Sequence, residues 1–105
     1  MDMLERSNKC GIVSEFVKHH IVLFDCFEQV YLFGSILNTN NIAYDIDILL
    51  IYSEFSNTIL DTSNIIRSAL EKKTEMPIDL TILSIREEKD ADFLQRIQPL
   101  CLKLK

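Results

Sequence analysis

Glycine and proline are scarce in this sequence, two of each in 105 residues, so neither a collagen-like nor a low-complexity disordered chain is compatible with it. A basic surplus is missing as well. Sixteen acidic against eleven basic residues give a formal net charge of −5, the wrong sign for a domain that holds nucleic acid through its phosphates alone. Cys10, Cys26 and Cys101 lie far apart, form no CxxC pair and have no histidine at zinc-ligand spacing, which reads as reduced thiols in a cytosolic setting. The apolar run Ile48–Tyr52 is far below the roughly twenty residues needed to cross a bilayer. The start of the chain, Met1 to Gly11, carries Asp2, Glu5, Arg6 and Lys9 and lacks the apolar stretch of a signal peptide. A cytoplasmic protein is expected, with neither a membrane nor nucleic acid as its partner.

What is present is the balance of a compact fold, 48% hydrophobic and 26% charged. The length suits a single domain over residues 1–105, enough for one core and too little for a separate substrate-binding domain. Ile12, Val13, Phe16 and Val17 recur at helical spacing, predicting an amphipathic helix before His20 whose start is blurred by Gly11. A short strand follows at Val30–Phe33, cut by Gly34-Ser35 and a polar loop, Asn38–Asn41. Asp45–Tyr52 is apolar on both alternating sets of positions, as in a central strand covered on both faces. A helix between Ser56 and Lys73 then crosses to a third strand, Pro77–Leu83, with Ile78, Leu80 and Ile82 on one face and Asp79 and Thr81 on the other. Ser84 and Glu87 form a capping box opening a helix that carries Ile85, Phe93, Leu94 and Ile97 and ends before Pro99. Leu100, Leu102 and Leu104 alternate with polar residues, either as an added strand or partner contact, or as a loose tail.

Asp45-Ile46-Asp47 interrupts an otherwise apolar strand, and residues two apart on a strand project to the same face. Two adjacent carboxylates are costly to bury without a cation, so the strand end is either solvated or a metal site. Asp79, a third carboxylate in a second apolar strand, completes an oxygen-rich set of the kind that Mg²⁺ selects. Gly34 permits a sharp turn and close backbone approach, while Ser35 offers a hydroxyl and an N–H to a phosphate.

Taken in order, Gly34-Ser35, nine intervening residues, Asp45-Ile46-Asp47 and later Ile78-Asp79-Leu80 resemble the signature of the DNA polymerase beta-like nucleotidyltransferase superfamily, in particular its minimal nucleotidyltransferase (MNT) domains. The resemblance covers Tyr31 to Leu83. It implies an α+β (mixed α/β) fold, a small mixed sheet of three to four strands flanked by helices. It implies that Gly34 and Ser35 bind the phosphates of a nucleoside triphosphate, that Asp45 and Asp47 hold Mg²⁺ or Mn²⁺, and that Asp79 joins them and positions or deprotonates the acceptor hydroxyl. The sequence departs from the family where many members carry Arg and Gly after Gly-Ser and a Ser before the first Asp; here stand Ile36-Leu37-Asn38-Thr39 and Tyr44. A local cationic phosphate clamp is therefore missing. Lys72, Lys73, Arg86 and Lys89 are substitutes only if they are more than solvated helix charges. Tyr44 either stacks on a base or packs at the strand edge, the second being favoured. His19 and His20 fall outside the motif and read as ordinary helix-end residues.

The resemblance implies an enzyme that moves a nucleoside monophosphate, AMP from ATP, onto a hydroxyl of a partner protein, as the antitoxin of a HEPN-type toxin. A homo-oligomer building the acceptor groove is the other way to supply what a short chain lacks. Two rivals are a non-catalytic binding module that neutralises a partner by contact, and nucleotidyl transfer to an RNA end, which fits poorly with the acidic charge.

Overall fold

The computed structural model describes residues 3–38, 40 and 42–105, with backbone alone for residues 3–7. Met1 and Asp2, and Thr39 and Asn41 of the expected polar loop, lie outside the described residues. The elements run α1 (Met3–His19), β1 (Gln29–Phe33), β2 (Ile46–Tyr52), α2 (Asn57–Thr74), β3 (Ile78–Ser84), α3 (Ile85–Ala91), α4 (Phe93–Ile97) and β4 (Cys101–Lys103). Short 3₁₀ turns at Ile21–Phe24 and Ser35–Leu37 lead into and out of β1. The result is the expected α+β architecture, a four-stranded sheet in the order β3-β2-β1-β4.

Three pairings build the described sheet. β1 and β2 are antiparallel, with Phe33 opposite Asp47. β2 and β3 are parallel, as a helical crossover requires, with Asp47 opposite Asp79. β4 runs antiparallel to β1, so the alternating C-terminal leucines do extend the sheet. The Lys105 ammonium fixes that segment further by donating to the carbonyls of Phe24 (2.8 Å) and Phe27 (2.6 Å).

Even-numbered residues of β2 face the main core, where Ile46, Ile48 and Leu50 meet Val13, Phe16 and Val17 of α1 and Ile59, Ile66 and Leu70 of α2. Leu49 and Ile51, on the odd-numbered face, are buried too. That second face is covered by the C-terminal helices, with Phe93 of α4 set edge-on against Phe33 at 5.6 Å. β2 is thus the doubly covered strand its composition predicts. Gly11 lies inside α1, so the helix start that the sequence leaves open is at Met3.

The capping box forms as predicted, Glu87 N–H donating to Ser84 Oγ and Ser84 N–H to Glu87 Oε1. The helix it opens does not run on to Pro99. It breaks at Asp92, which adopts the left-handed conformation (φ 55°) that aspartate tolerates better than most side chains. The break re-aims the chain so that Phe93 reaches Phe33, a tertiary contact that local spacing does not encode. Cys26 and Cys101 are free thiols, and burial pushes both up. Among the described residues no helix is long and apolar enough to cross a membrane.

Candidate functional site

The sheet delivers the sequence-predicted residues to one end of one face. Asp45 immediately precedes β2, Asp47 is its second residue, and Asp79 is the second residue of β3. Each offers a carboxylate oxygen, and the oxygens of Asp45, Asp47 and Asp79 lie within 4.8 Å of one another. Asp45 and Asp47 are half-buried and Asp79 is exposed, leaving the cluster open to solvent on the β3 side.

Crowding shows in the electrostatics. Burial pushes the Asp47 carboxyl from its ordinary 3.8 up to about 6; the negative charges of Asp45 and Asp79 and a hydrogen bond with Asp79 add to the rise. None of the ion pairs among the described residues involves this trio. Closely set carboxylate oxygens with no protein cation are the donor set that a hard divalent ion satisfies, so the residues fit such an ion.

Gly34 sits against this cluster. It follows Phe33, the register partner of Asp47, and takes φ 87° and ψ −155°, a region open essentially to glycine alone. A Cβ built there would collide with the Asp47 carboxylate oxygen. Its N–H donates to the Leu100 carbonyl (3.1 Å), and its own carbonyl accepts from Leu37 (3.0 Å) to start the 3₁₀ turn opened by Ser35. Among the described residues the Ser35 hydroxyl has no hydrogen-bond partner.

The remaining candidates separate by position. Tyr44, beside Asp45, is 78% exposed, so it does not pack at the strand edge as the sequence reading favoured. Arg86 and Lys89 follow β3 at the opposite end of the sheet, with Ser84 five residues, or about 16 Å, along the strand from Asp79; Arg86 faces Asp90 there. Lys72 and Lys73 occupy the last turn of α2, at the end of the fold where β3 begins. His20, just past α1, stacks on Phe16 at 4.4 Å, and His19, the last residue of α1, approaches Glu15, so both are helix-end residues as expected. A cavity of about 410 Å³ also lies along α1, between Gly11, Phe16 and Lys73 and apart from the carboxylates. The feature that sequence reasoning missed is the contact of Gly34 with Asp47. The sole signal for it was the glycine itself.

The sequence matches no protein-family model and no curated protein. Solved structures do match. A candidate nucleotidyltransferase from Sulfolobus solfataricus is 20% identical with a TM-score of 0.56 over 96% of this chain and 83% of its own. A chain of the Shewanella oneidensis complex between a tri-AMPylated HEPN toxin and its MNT antitoxin is 17% identical with a TM-score of 0.52, over 100% of this chain and 72% of its own. A chain of a mutant toxin–antitoxin complex, MntA–HpeT, is 15% identical with a TM-score of 0.58, over 89% and 72%. At these identities the likeness is one of fold, and the chain has the mixed α+β fold of nucleotidyltransferase-like proteins.

Proposed function

We propose that this chain is a minimal nucleotidyltransferase that moves a nucleoside monophosphate, AMP from ATP, onto a hydroxyl of a partner protein, and that its partner is a HEPN-type toxin. The observation that carries the reading is the convergence of Asp45, Asp47 and Asp79 within 4.8 Å, next to a glycine whose Cβ would meet the Asp47 carboxylate. The toxin partner and the AMP group are supported by a solved neighbour of the same fold, whose complex holds an AMPylated HEPN toxin.

Asp45, Asp47 and Asp79 would hold Mg²⁺ or Mn²⁺, which when bound offsets charge on the phosphates and makes the incoming hydroxyl more acidic. In this reading a phosphate lies against the backbone of the Gly34-Ser35 turn, and the Ser35 hydroxyl, which has no partner among the described residues, donates to it. Asp79, the most exposed of the three, is the carboxylate that an acceptor from solvent can reach. The hydroxyl oxygen bonds to the α-phosphorus, the bond from that phosphorus to the pyrophosphate oxygen breaks, and the hydroxyl proton passes to the Asp79 carboxylate.

The test is mass spectrometry of the protein encoded by the adjacent open reading frame, co-expressed with this chain. An added nucleoside monophosphate is expected with wild type and none with Asp79→Asn, while calorimetry should show that Asp79→Asn keeps most of its binding of ATP with Mn²⁺ through Asp45 and Asp47. A partner that is unmodified in both samples, yet bound equally by both, would overturn transfer in favour of neutralisation by contact.

A further inference from the structure

β3 is an edge strand, pairing among the described residues with β2 alone. Its backbone parity is fixed by the bond from Ile46 N–H to the Pro77 carbonyl (2.9 Å), which turns the odd-numbered residues of the strand toward β2. Ile78, Leu80, Ile82 and Ser84 therefore present their N–H and C=O groups to the free side. The two ends of that edge are already blunted. Ile78 N–H donates to Glu71 Oε2 (3.2 Å) and Ser84 N–H to Glu87 Oε1 (2.9 Å). Side-chain caps of this kind limit pairing with stray strands. What they leave is a window at Leu80 and Ile82, offering two N–H and two C=O groups in strand geometry.

That window adjoins Asp79. Asp47 flanks Asp79 on the β2 side, as its register partner one strand spacing away, about 4.8 Å. A segment added along the free edge would set a side chain on the other flank of Asp79 at the same spacing, on the same face as the carboxylate cluster. We propose that the free edge of β3 takes an extended segment of the acceptor protein as a fifth strand, so that backbone hydrogen bonds at Leu80 and Ile82 set a hydroxyl-bearing side chain beside Asp79. The proposal rests on the nucleotidyl-transfer reading and adds how the acceptor is held.

Charge narrows the occupant. Glu71 and Glu87 stand at the two ends of the window and the carboxylate cluster stands beside it. A second copy of this chain, also at −5, would pair antiparallel and bring Glu71 of one copy toward Glu87 of the other. A strand with basic residues at its ends and a hydroxyl residue between them meets the same surface with attraction. This is strand addition, in which main-chain bonds supply affinity and alternate side chains supply selectivity.

The experiment uses the full chain and a blocked peptide, acetyl-Lys-Thr-Val-Tyr-Val-Thr-Lys-amide, at millimolar concentration without nucleotide or metal. Amide hydrogen exchange at Leu80 and Ile82 is expected to slow at least tenfold, with little change elsewhere in the sheet. Two further peptides carry N-methyl groups on the odd or on the even residues. Strand pairing requires that one methylated set be tolerated and the other abolish protection. Equal tolerance of both sets, or no protection by the unmethylated peptide, would overturn the proposal. ATP and Mn²⁺ are then added and the peptide mass is measured. Protection at Leu80 and Ile82 with an unmodified tyrosine upholds the docking edge and counts against transfer. Modification of the unmethylated and both methylated peptides alike, without protection, overturns the edge and upholds transfer.

Discussion

Replacing Asp47 by asparagine should make the metal-free protein more stable at neutral pH, even though it removes a residue assigned to the site. In the fold its carboxyl is pushed from 3.8 up to about 6, with burial the largest cause and Asp45 and Asp79 next. The folded chain therefore keeps a proton that the unfolded chain releases between about pH 4 and pH 6. Stability falls as pH rises through that window and is level above it. The gap corresponds to a ceiling of about 3 kcal/mol. Asp47 is half-buried, and screening by water reduces this to about 1–2 kcal/mol. For a domain of this size that is roughly 5–10 °C in melting temperature. Melts in EDTA should show Asp47→Asn above wild type by that margin at pH 7.5, and the margin should close near pH 4. Mn²⁺ should then raise wild type, by about 2.7 kcal/mol at a hundredfold excess over its dissociation constant, and raise the variant far less. A variant that melts below wild type at pH 7.5, or differs equally at both pH values, refutes the reasoning.

Gly34→Ala should cost about 1–3 kcal/mol from the backbone region alone, and more because its Cβ meets Asp47, so both denaturant midpoint and metal affinity should drop. Ser35→Ala, at a hydroxyl with no partner among the described residues, should leave the melting temperature within about 2 °C of wild type while weakening ATP binding by roughly 1.5–3 kcal/mol in calorimetry. Lys105→Met keeps the aliphatic stem and loses the bonds to Phe24 and Phe27; chemical denaturation should show a loss of about 1–3 kcal/mol with ATP binding unchanged.

Much of the architecture is legible because burial leaves a periodic trace. The double-sided apolar pattern of Ile46–Tyr52 marks a central strand, and Ile78, Leu80 and Ile82 against Asp79 and Thr81 mark the faces of β3. The carboxylates are legible for the complementary reason, since Asp45, Asp47 and Asp79 break apolar strands that gain nothing from them as packing residues. What local pattern cannot carry is registration between segments. That Asp47 stands opposite Asp79 depends on where an 18-residue helix sets β3 down, and no spacing within either strand states it. The left-handed turn at Asp92 is hidden likewise, because the contact it serves, Phe93 on Phe33, spans most of the chain. Leucine alternation suits a strand or a loose end equally, and the Lys105 ammonium decides between them.

The parallel pairing of β2 with β3 also bears on the order in which this chain folds. β1 and β2 are close in sequence and antiparallel, so their loop closes at small entropic cost, and nothing in that pair brings carboxylates from two strands together. Asp47 meets Asp79 only once the chain between them has turned back, a contact of long sequence separation that tends to arrive late. The repulsion within the cluster is then felt mainly on the native side of the barrier. It hastens unfolding more than it slows folding, and the docking of β3 is the step that a bound cation would hold closed.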